Sequence, residues 1–308
     1  MFQIDRSNWG NWEVLRLSDS SGNSIVIAPA RGACLLDLSF NGRHLLRSYQ
    51  NEAELSSLDW MRSALLFPFP NRMKDGQYQW HGQQYQFPIN EPARNNALHG
   101  FGGSAFFKTR YIQLGETEAC VCLVYRHTPT DSYPFPFLAS VTYRIQTIGQ
   151  FDLEFKVENL HSTSIPFAWG WHPYFQLQPD ADLCSLQLPA CKLVEVTDQM
   201  LPNGKRSDFN QFEKPASLKG QELDHCFAFS ESARAVTLFS EKSRLEIYPL
   251  AGQAVFPFFQ VFIPPDRQSV ALEPMTANID AFHNRQGLWE IKPGESKYTG
   301  ATVACYPV

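Results

Sequence analysis

Residues 34–42 read Cys-Leu-Leu-Asp-Leu-Ser-Phe-Asn-Gly, a short run rich in apolar residues that ends in an Asn-Gly pair. Asn-Gly is a strong signal for a two-residue β-hairpin turn, because both residues tolerate the positive φ angles that such a turn requires. Residues 24–28, Ser-Ile-Val-Ile-Ala, precede this run and have the β-branched content of a strand. The stretch therefore predicts antiparallel strands at 24–28 and 34–40, with a tight turn at Asn41-Gly42.

The same pattern of short segments separated by turn residues continues along the chain. Residues 76–80 and 83–87 flank His81-Gly82 and predict a compact hairpin. Helix is predicted only over residues 52–66. Further strands are predicted at residues 119–126, 139–147, 152–159, 235–240, 245–249, 258–263 and 269–273.

The order of these elements indicates the fold class. Strands do not alternate with helices as βαβ units require, so a parallel nucleotide-binding sheet is not expected. No fixed-period repeat, linker or change of composition divides the chain. We therefore expect an all-β protein with little helix, in which residues 1–308 form a single domain with two large antiparallel sheets packed as a β-sandwich.

Composition excludes several classes of function. The 308 residues include 26 Lys and Arg against 31 Asp and Glu, a net charge of −5, so binding to nucleic acid or to an anionic membrane is not expected. No run approaches the roughly 18 apolar residues of a membrane span, and residues 1–6 lack the pattern of a secretory signal. The seven cysteines include no Cys-x-x-Cys pair and are predicted to be reduced core residues. We expect a cytoplasmic protein.

Four segments, residues 67–72, 95–100, 167–175 and 271–276, combine charged or imidazole side chains with aromatic residues and turn formers. Each has a purely structural explanation when it is taken alone. A histidine that lies beside Trp and Tyr is commonly a core residue, and a glutamate before a proline can simply end a strand. Spacing along the sequence does not show whether the four segments meet.

Within and beyond these segments, six short motifs follow one another along the chain: Asn71-Arg72, Leu98-His99-Gly100, His172-Pro173-Tyr174-Phe175, Leu223-Asp224-His225, Glu273-Pro274-Met275-Thr276 and Lys292-Pro293-Gly294-Glu295. Taken together and in order, they resemble the aldose 1-epimerase (galactose mutarotase) family, over about residues 20–305. The third motif, residues 172–175, has Pro173 where well-known galactose mutarotases commonly have Ser in a His-Ser-Tyr-Phe motif. The imidazole of His172 is retained. The resemblance implies the galactose mutarotase-like supersandwich fold.

The resemblance also implies an isomerase that interconverts the α and β anomers of a hexose, with a monosaccharide as its partner and no cofactor or metal. The reaction needs a base for the C1 hydroxyl proton and an acid for the ring oxygen, and each well-placed proton transfer contributes about 10²–10⁴-fold. Glu273 is implied as the base and His172 as the acid. His99 is implied to bond near the ring oxygen and to share the acid role.

Substrate-binding roles are implied for five further residues. Arg72 would donate to sugar hydroxyls and help to orient the catalytic base. Asp224 would accept hydrogen bonds from sugar hydroxyls, and Asn71 precedes Arg72 in the same motif. Trp171 and Tyr174 are candidates for the apolar wall that faces the C–H groups of the sugar, although strand alternation lets only about half of the neighbouring aromatics face one cleft.

Three alternatives remain open from the sequence. The same fold can epimerise a phosphorylated or sulfonated hexose, for which Arg94 and Lys74 would supply cations. A non-catalytic carbohydrate-binding protein would also explain the aromatic content of 14%. His99, His172 and Glu273 could in principle ligate a metal. The preferred hexose, and the choice between monomer and homodimer, are open as well.

Overall fold

The structure, a computed structural model, describes residues 1–230, 235–254 and 256–308. Up to residue 159 the strands are β1 (Gln3–Trp9), β2 (Trp12–Ser18), β3 (Ser24–Ala28), β4 (Cys34–Phe40), β5 (Arg43–His44), β6 (Leu65–Leu66), β7 (Arg72–Lys74), β8 (Gln77–Trp80), β9 (Gln83–Gln86), β10 (Asn96–Leu98), β11 (Lys108–Leu114), β12 (Glu118–Arg126), β13 (Phe137–Gln146) and β14 (Gln150–Asn159). The remaining strands are β15 (Ile165–Phe167), β16 (Gly170–Trp171), β17 (Tyr174–Phe175), β18 (Ser185–Gln187), β19 (Cys191–Val196), β20 (Pro202–Phe209), β21 (Ala216–Ser217), β22 (Asp224–Phe229), β23 (Val236–Phe239), β24 (Ser243–Pro249), β25 (Phe258–Phe262), β26 (Val270–Met275), β27 (Trp289–Ile291) and β28 (Ser296–Pro307).

Helices are few and short. They are α1 (Glu52–Ser57) and α2 (Ala281–Asn284), with 3₁₀ turns at Asp59–Met61, Gly102–Ser104 and Ala181–Leu183. Within the three described ranges, none of the helices has the length and apolar character needed to cross a membrane.

Two tight turns form where the sequence predicts them. β4 and β5 are joined by Asn41-Gly42, with φ of 51° and 75°, and β8 and β9 by His81-Gly82, with φ of 48° and 77°. Positive φ at both central residues belongs to the turn whose twist matches that of the paired strands. Both predicted hairpins are confirmed.

The predicted helix over residues 52–66 is wrong beyond Ser57. α1 begins after Asn51, whose side chain accepts a hydrogen bond from the N–H of Glu54, and ends at Leu58, which has a left-handed φ of 56°. Residues 65–66 form β6, which pairs with β16. The apolar residues near the end of this segment therefore belong to a β-strand. A short apolar run is compatible with either a buried strand or a buried helix, so the sequence alone does not distinguish the two.

Two large sheets and a smaller one carry the fold. The nine-stranded sheet has the order β11-β12-β13-β14-β28-β24-β23-β18-β21. The eight-stranded sheet has the order β20-β19-β22-β25-β26-β16-β6, with β17 also pairing with β26. The first five strands form a separate antiparallel sheet. The all-β prediction is confirmed, and the five-stranded sheet adds to the two large sheets that were expected.

One apolar cluster joins the three sheets. It includes Ile25 of β3, Phe155 of β14 and Leu272 of β26, all of them fully buried. Along β13, buried residues alternate with half-buried ones over the whole strand, so one face is turned to the core. Burial of each large apolar side chain contributes about 1.5–3 kcal/mol. This packing holds the eight-stranded sheet in place.

Strand register in the eight-stranded sheet determines which side chains share a face. Asp224 of β22 lies opposite Phe262 of β25, and Gln260 of β25 lies opposite Glu273 of β26. Directly opposed residues of antiparallel strands point to the same side of the sheet, as do residues two apart on one strand. These four side chains therefore project from one face.

Candidate active site

A cavity of about 360 Å³ opens on this face of the eight-stranded sheet, and we call it the inner cavity. Its volume is within the range of small-molecule sites. It brings together the predicted site residues except Trp171, namely Asn71, Arg72, His99, His172, Tyr174, Asp224 and Glu273. It is also lined by residues that the sequence did not assign to a site, namely Trp60, Met61, Asn90, Leu98, Gln260 and Phe262.

Glu273 and His172 lie in contact at the closed end of the inner cavity. Glu273 is on β26, and His172 occupies the break between β16 and β17, both of which pair with β26. Oε1 of Glu273 is 3.4 Å from Nε2 of His172, and both side chains are almost completely buried. Oε2 of Glu273 and Nδ1 of His172 are buried without a hydrogen-bond partner. Unpaired buried polar atoms are rare in native proteins, and at a cavity they indicate a place for ligand atoms.

Burial controls the protonation of this pair. It raises the pKa of Glu273 well above the usual 4.5; the charge of Asp224 adds to the rise, and Arg72 opposes it. Burial lowers the pKa of His172 from 6.5 to about 3. Burial therefore opposes charge on both groups, and a proton held by the pair is favoured on Glu273 over His172. A carboxyl group beside a neutral imidazole gives the cavity a proton donor and a proton acceptor side by side.

His99 is fixed as a hydrogen-bond donor by Asn71. The two backbone segments bond reciprocally: the N–H of His99 donates to the carbonyl of Asn71 at 2.8 Å, and the N–H of Asn71 donates to Nδ1 of His99 at 3.2 Å. Burial, followed by the effects of His172 and Arg72, lowers the pKa of His99 well below 6.5. The ring is therefore neutral, and because Nδ1 accepts a bond, its proton resides on Nε2. His99 can donate to a ligand through that nitrogen.

Arg72 is held in place by Glu91. Its Nε and Nη2 each lie 2.9 Å from a carboxylate oxygen of Glu91, a bidentate pair, and its Nη1 lies 3.3 Å from Oδ1 of Asn71. Glu91 also accepts a bond from Arg94 at 3.0 Å. Although burial alone would raise it, these hydrogen bonds hold the pKa of Glu91 below its usual range. Since the hydrogen bonds of Arg72 go to Glu91 and Asn71, Arg72 acts on Glu273 through its charge.

Gln260 connects the two sides of the inner cavity. Its Oε1 accepts a hydrogen bond from Nδ2 of Asn71 at 3.2 Å, and its Nε2 donates to Oδ1 of Asp224 at 2.6 Å. Gln260 is buried, whereas Asp224 is exposed. The chain from Asn71 through Gln260 thus holds the Asp224 carboxylate at the rim, where it can accept hydrogen bonds from ligand hydroxyls.

Aromatic side chains form the apolar part of the wall. Tyr174 lies opposite Ala271 of β26 and stacks on the ring of His172, with centroids 5.0 Å apart. Trp60 is half-exposed and stacks on Phe262, with centroids 6.0 Å apart and an interplanar angle of 20°. Flat apolar faces beside hydrogen-bonding groups suit a ligand with both C–H and hydroxyl surfaces.

The predicted substrate-binding role of Trp171 is wrong. The preceding residue, Gly170, lies opposite Met275, which shares a sheet face with Glu273. Alternation therefore turns Trp171 to the other face. Its side chain is fully buried and its ring lies 6.1 Å from that of Phe151. Trp171 is a core residue of the fold.

Of the unassigned lining residues, Gln260 had a signal in the sequence. It is the single polar residue of the strand predicted at 258–263, a position where burial demands a partner. Glu91 and Trp60 lie outside the predicted strands, and no local pattern connects them to Arg72 or to Phe262.

Other histidines have structural surroundings. His127 is packed between the rings of Phe101 and Phe137, with centroids 4.8 Å and 4.9 Å away. Nδ1 of His225 accepts a bond from the N–H of Asp224 at 3.3 Å. Across the part of the chain that the structure describes, no group of three or more His, Cys, Asp or Glu side chains has an arrangement that could hold a metal ion.

Comparison with known proteins finds relatives along almost the whole chain. A family model described as Aldose 1-epimerase matches residues 13–303. The chain is also similar to the uncharacterized protein YihR of Escherichia coli strain K12. The two are 28% identical over 275 residues, which cover 86% of this chain and 84% of that protein.

Solved structures share the fold. A galactose mutarotase-like protein from Clostridium acetobutylicum matches with a TM-score of 0.89 at 19% identity, covering 100% of this chain and 99% of that one. The galactose 1-epimerase from Lactobacillus acidophilus matches with a TM-score of 0.84 at 16% identity, again covering 100% and 99%. The galactose mutarotase-like fold expected from the sequence is therefore confirmed.

Proposed function

The chain belongs to the aldose 1-epimerase family, and we propose that it interconverts the α and β anomers of an unmodified hexose in the inner cavity. The observation that carries this proposal is the contact between Glu273 and His172 at 3.4 Å. In a cyclic sugar the hydroxyl oxygen and the ring oxygen are both bonded to C1. The two groups that move protons at these oxygens must therefore be neighbours, as Glu273 and His172 are.

The reaction is a balanced exchange of two protons. Glu273 removes the proton from the C1 hydroxyl, the electron pair forms the C1 carbonyl, and the bond from C1 to the ring oxygen breaks. His172 delivers a proton to that ring oxygen, which becomes a hydroxyl group. Rotation about the C1–C2 bond presents the other face of the aldehyde, and the same steps in reverse close the ring to the opposite anomer. Each transfer contributes about 10²–10⁴-fold.

The pair needs one proton for this cycle. Burial favours that proton on Glu273 in the free protein. Transfer across the contact with His172 places it where the ring oxygen can receive it and leaves Glu273 as the base. The pair carries one proton whether that proton lies on Glu273 or on His172. The same total protonation of the pair therefore supports both the α-to-β and the β-to-α reaction.

The remaining groups position the sugar. His99 donates through Nε2 to an oxygen on C1, and Arg72, held by Glu91, donates to neighbouring hydroxyls. Asp224 accepts from hydroxyls at the rim, supported by Gln260. Tyr174 covers the C–H face. Fixed donors of this kind reduce the entropy that the substrate loses on reaching the reactive geometry.

An unmodified hexose suits the charges of the site better than a phosphorylated or sulfonated one. Arg94 and Arg72 both pair with Glu91, whose carboxylate offsets part of their charge. An anionic group would have to compete with that carboxylate. The carboxylate of Asp224 also lines the inner cavity, and Glu273 becomes a second carboxylate there when it acts as the base.

The cysteines support a reducing compartment, and we propose the cytoplasm. All seven are free in the structure, and five of them are buried: Cys34, Cys120, Cys122, Cys184 and Cys226. Unpaired cysteines in a protein of this size are typical of compartments that keep thiols reduced.

The test is anomer exchange itself. Purified protein is added to freshly dissolved α-D-glucose and α-D-galactose, and the approach to equilibrium is followed by polarimetry or proton NMR. We expect faster exchange than in buffer with at least one sugar, and loss of that acceleration in Glu273→Gln. If neither sugar equilibrates faster than the buffer control, D-glucose and D-galactose are excluded as substrates, and the same assay with phosphorylated and sulfonated hexoses comes next.

A further inference from the structure

A cavity lined by aromatic rings lies apart from the catalytic pair. Its volume is about 540 Å³, and we call it the aromatic cavity. Its walls include the rings of Phe69, Phe87, Phe101 and Tyr125, and none of the residues assigned to proton transfer lines it. Its size and its mostly apolar walls are typical of a site for a small molecule.

The wall between the aromatic cavity and the inner cavity is formed by Asn90 and Leu98, which line both. Nδ2 of Asn90 donates to the carbonyl of Leu98 at 3.0 Å, and the N–H of Leu98 donates to Oδ1 of Asn90 at 2.7 Å. These reciprocal bonds hold the two segments together. A molecule in the aromatic cavity therefore lies on the opposite side of this wall from a sugar in the inner cavity.

The rings that line the aromatic cavity belong to a stack. Phe87 and Phe101 have centroids 6.4 Å apart and an interplanar angle of 23°, and Phe101 and His127 have centroids 4.8 Å apart and an angle of 14°. Phe69 meets Phe87 edge to face, with centroids 5.1 Å apart. Aromatic pairs favour both arrangements. A flat ring can therefore pack against these side chains by its face or by its edge, so the walls favour an aromatic ligand.

Two of the polar groups in this wall satisfy each other. Nε2 of His127 lies 2.9 Å from the carbonyl oxygen of Tyr133, which only accepts, so Nε2 carries the proton and Nδ1 accepts from the hydroxyl of Tyr125 at 3.0 Å. Burial lowers the pKa of His127, although its hydrogen bond to Tyr133 opposes this change. The imidazole is therefore neutral at neutral pH and adds no charge to the cavity.

Arg126 is the one charged side chain among the described residues that line the aromatic cavity. It is exposed, and within residues 1–230, 235–254 and 256–308 its guanidinium forms no hydrogen bond or ion pair. The described part of the chain also places no Asp or Glu in this wall, whereas Asp224 and Glu273 line the inner cavity. A guanidinium without a partner offers parallel N–H groups to a carboxylate. The charge of the aromatic cavity therefore complements an anion.

We propose that the aromatic cavity is a binding site for a small aromatic carboxylate, whose ring packs against Phe87 and Phe101 and whose carboxylate pairs with Arg126. The site is separate from the one in which the proposed function takes place. A neutral molecule with the same ring lacks the ion pair, and a hexose has neither the ring nor the charge, so the site discriminates against both.

The test uses 2-naphthoate, with 2-naphthylmethanol as its neutral analogue, and measures the binding of each by isothermal titration calorimetry. Arg126→Gln removes the charge. Ser104→Trp fills the cavity, because Ser104 lines it, and Ser104→Ala is the matched control that does not. Both positions are exposed, so these variants are expected to fold. Arg72→Gln tests whether 2-naphthoate enters the inner cavity instead.

We expect the wild-type protein to bind 2-naphthoate with a Kd of about 1 mM or less. Arg126→Gln should weaken the binding of 2-naphthoate about two- to fivefold and leave that of 2-naphthylmethanol unchanged. Ser104→Trp should weaken the binding of both molecules about tenfold or more. Ser104→Ala and Arg72→Gln should bind 2-naphthoate as the wild type does.

Three results would overturn the site. They are the absence of saturable 2-naphthoate binding to the wild-type protein, wild-type affinity in Ser104→Trp, and a loss of binding in Arg72→Gln with wild-type affinity in Arg126→Gln. Each of them leaves the proposed function standing, because anomer exchange is measured with a different ligand in a different cavity.

Discussion

Oε1 of Glu273 and Nε2 of His172 lie 3.4 Å apart, and each side chain keeps its second polar atom buried and unpaired. A buried polar group without a partner costs about 1–3 kcal/mol, so a pair of this kind is unfavourable for the folded state alone. Groups bound in the cavity can satisfy these atoms. The arrangement therefore favours a role for the pair in binding and chemistry over a role in stability.

Replacing either member of this pair should remove most activity without unfolding the protein. We expect Glu273→Gln and His172→Asn each to lower kcat by about 10²–10⁴-fold. The double variant should lose no more than the worse single variant, because the two groups act as a unit. Since glutamine removes a group that is costly to ionise in the interior, the melting temperature of Glu273→Gln should equal or exceed that of the wild type.

His44→Asn is the control for these variants. His44 is largely exposed and pairs with Asp37, so full activity is expected. Turnover near the wild-type level in either Glu273→Gln or His172→Asn would show that the assigned roles are wrong.

The pH profile should report on Glu273. The pair must hold one proton, so kcat/KM should fall as pH rises through the pKa of Glu273, which burial raises well above 4.5. A loss of activity centred near pH 6.5 on the acid side is not expected, because burial lowers the pKa of His172 to about 3.

The pH at which kcat/KM falls on the alkaline side of the profile, here called the alkaline limb, should respond in opposite directions to the removal of Asp224 and of Arg72. Asp224 raises the pKa of Glu273, so Asp224→Asn should shift the limb to lower pH; Arg72 lowers that pKa, so Arg72→Gln should shift it to higher pH. The limb position is measured separately from the amplitude, since both variants also lose substrate contacts. Asp37→Asn, away from the inner cavity, should leave the limb unchanged. Shifts of the same sign in both variants would contradict the assignment.

Glu91 is expected to act through Arg72 as a positioning residue. Glu91→Gln breaks a bidentate, mostly buried pair, and hydrogen bonds to charged groups contribute about 1.5–3 kcal/mol. We expect kcat/KM to fall about 10-fold or more, with most of the change in KM, and Glu91→Asp to recover part of the loss.

Arg94→Ala is the matched control for Glu91. Arg94 pairs with the same carboxylate, but its side chain is 42% exposed. Its removal should change KM by less than about twofold. An unchanged KM in Glu91→Gln would show that Arg72 does not need this support.

Trp171→Phe tests the placement of Trp171 in the core. The smaller ring should reduce the free energy of unfolding by about 1–3 kcal/mol, measured by urea denaturation, and KM should stay within about twofold. Trp60→Ala is the counterpart: because Trp60 is half-exposed, little loss of stability and a raised KM are expected. A raised KM in Trp171→Phe with unchanged stability would reverse this placement.

Strands that apolar residues and turn formers mark on both sides were the easiest to predict from the sequence. β3 and β4 lie within the predicted bounds because apolar residues and turn formers mark them. β1 was missed, since Asp5, Arg6, Ser7 and Asn8 carry no apolar alternation and are held by backbone pairing with β2. For β28 the resemblance gave the only signal, because the Lys292-Pro293-Gly294-Glu295 motif just before it resembles the entry to the family's C-terminal strand. Its own pattern is interrupted by Gly300, where a Cβ would collide with the carbonyl oxygen of Leu153.

The candidate site could be predicted only in part, for a similar reason. Ordered motifs indicated Glu273 and His172, and these motifs meet in the structure. The residues that orient the site side chains could not be predicted from the motifs. Glu91, which holds Arg72, lies in a loop, and the sequence does not show where that loop runs. Trp171 was misplaced, since its motif shows that an aromatic is present but not toward which face it points.

The pairing of Gln260 with Glu273 across β25 and β26 ties chemistry to strand register. Because side chains alternate with a period of two, a slip of β26 by one residue would turn Glu273 from the cavity into the core. Such a chain would retain its strand content and be inactive. Turnover per mole of refolded protein would then report the fraction of molecules in which β26 has the native register. Circular dichroism would not detect the difference, because it measures strand content and not register.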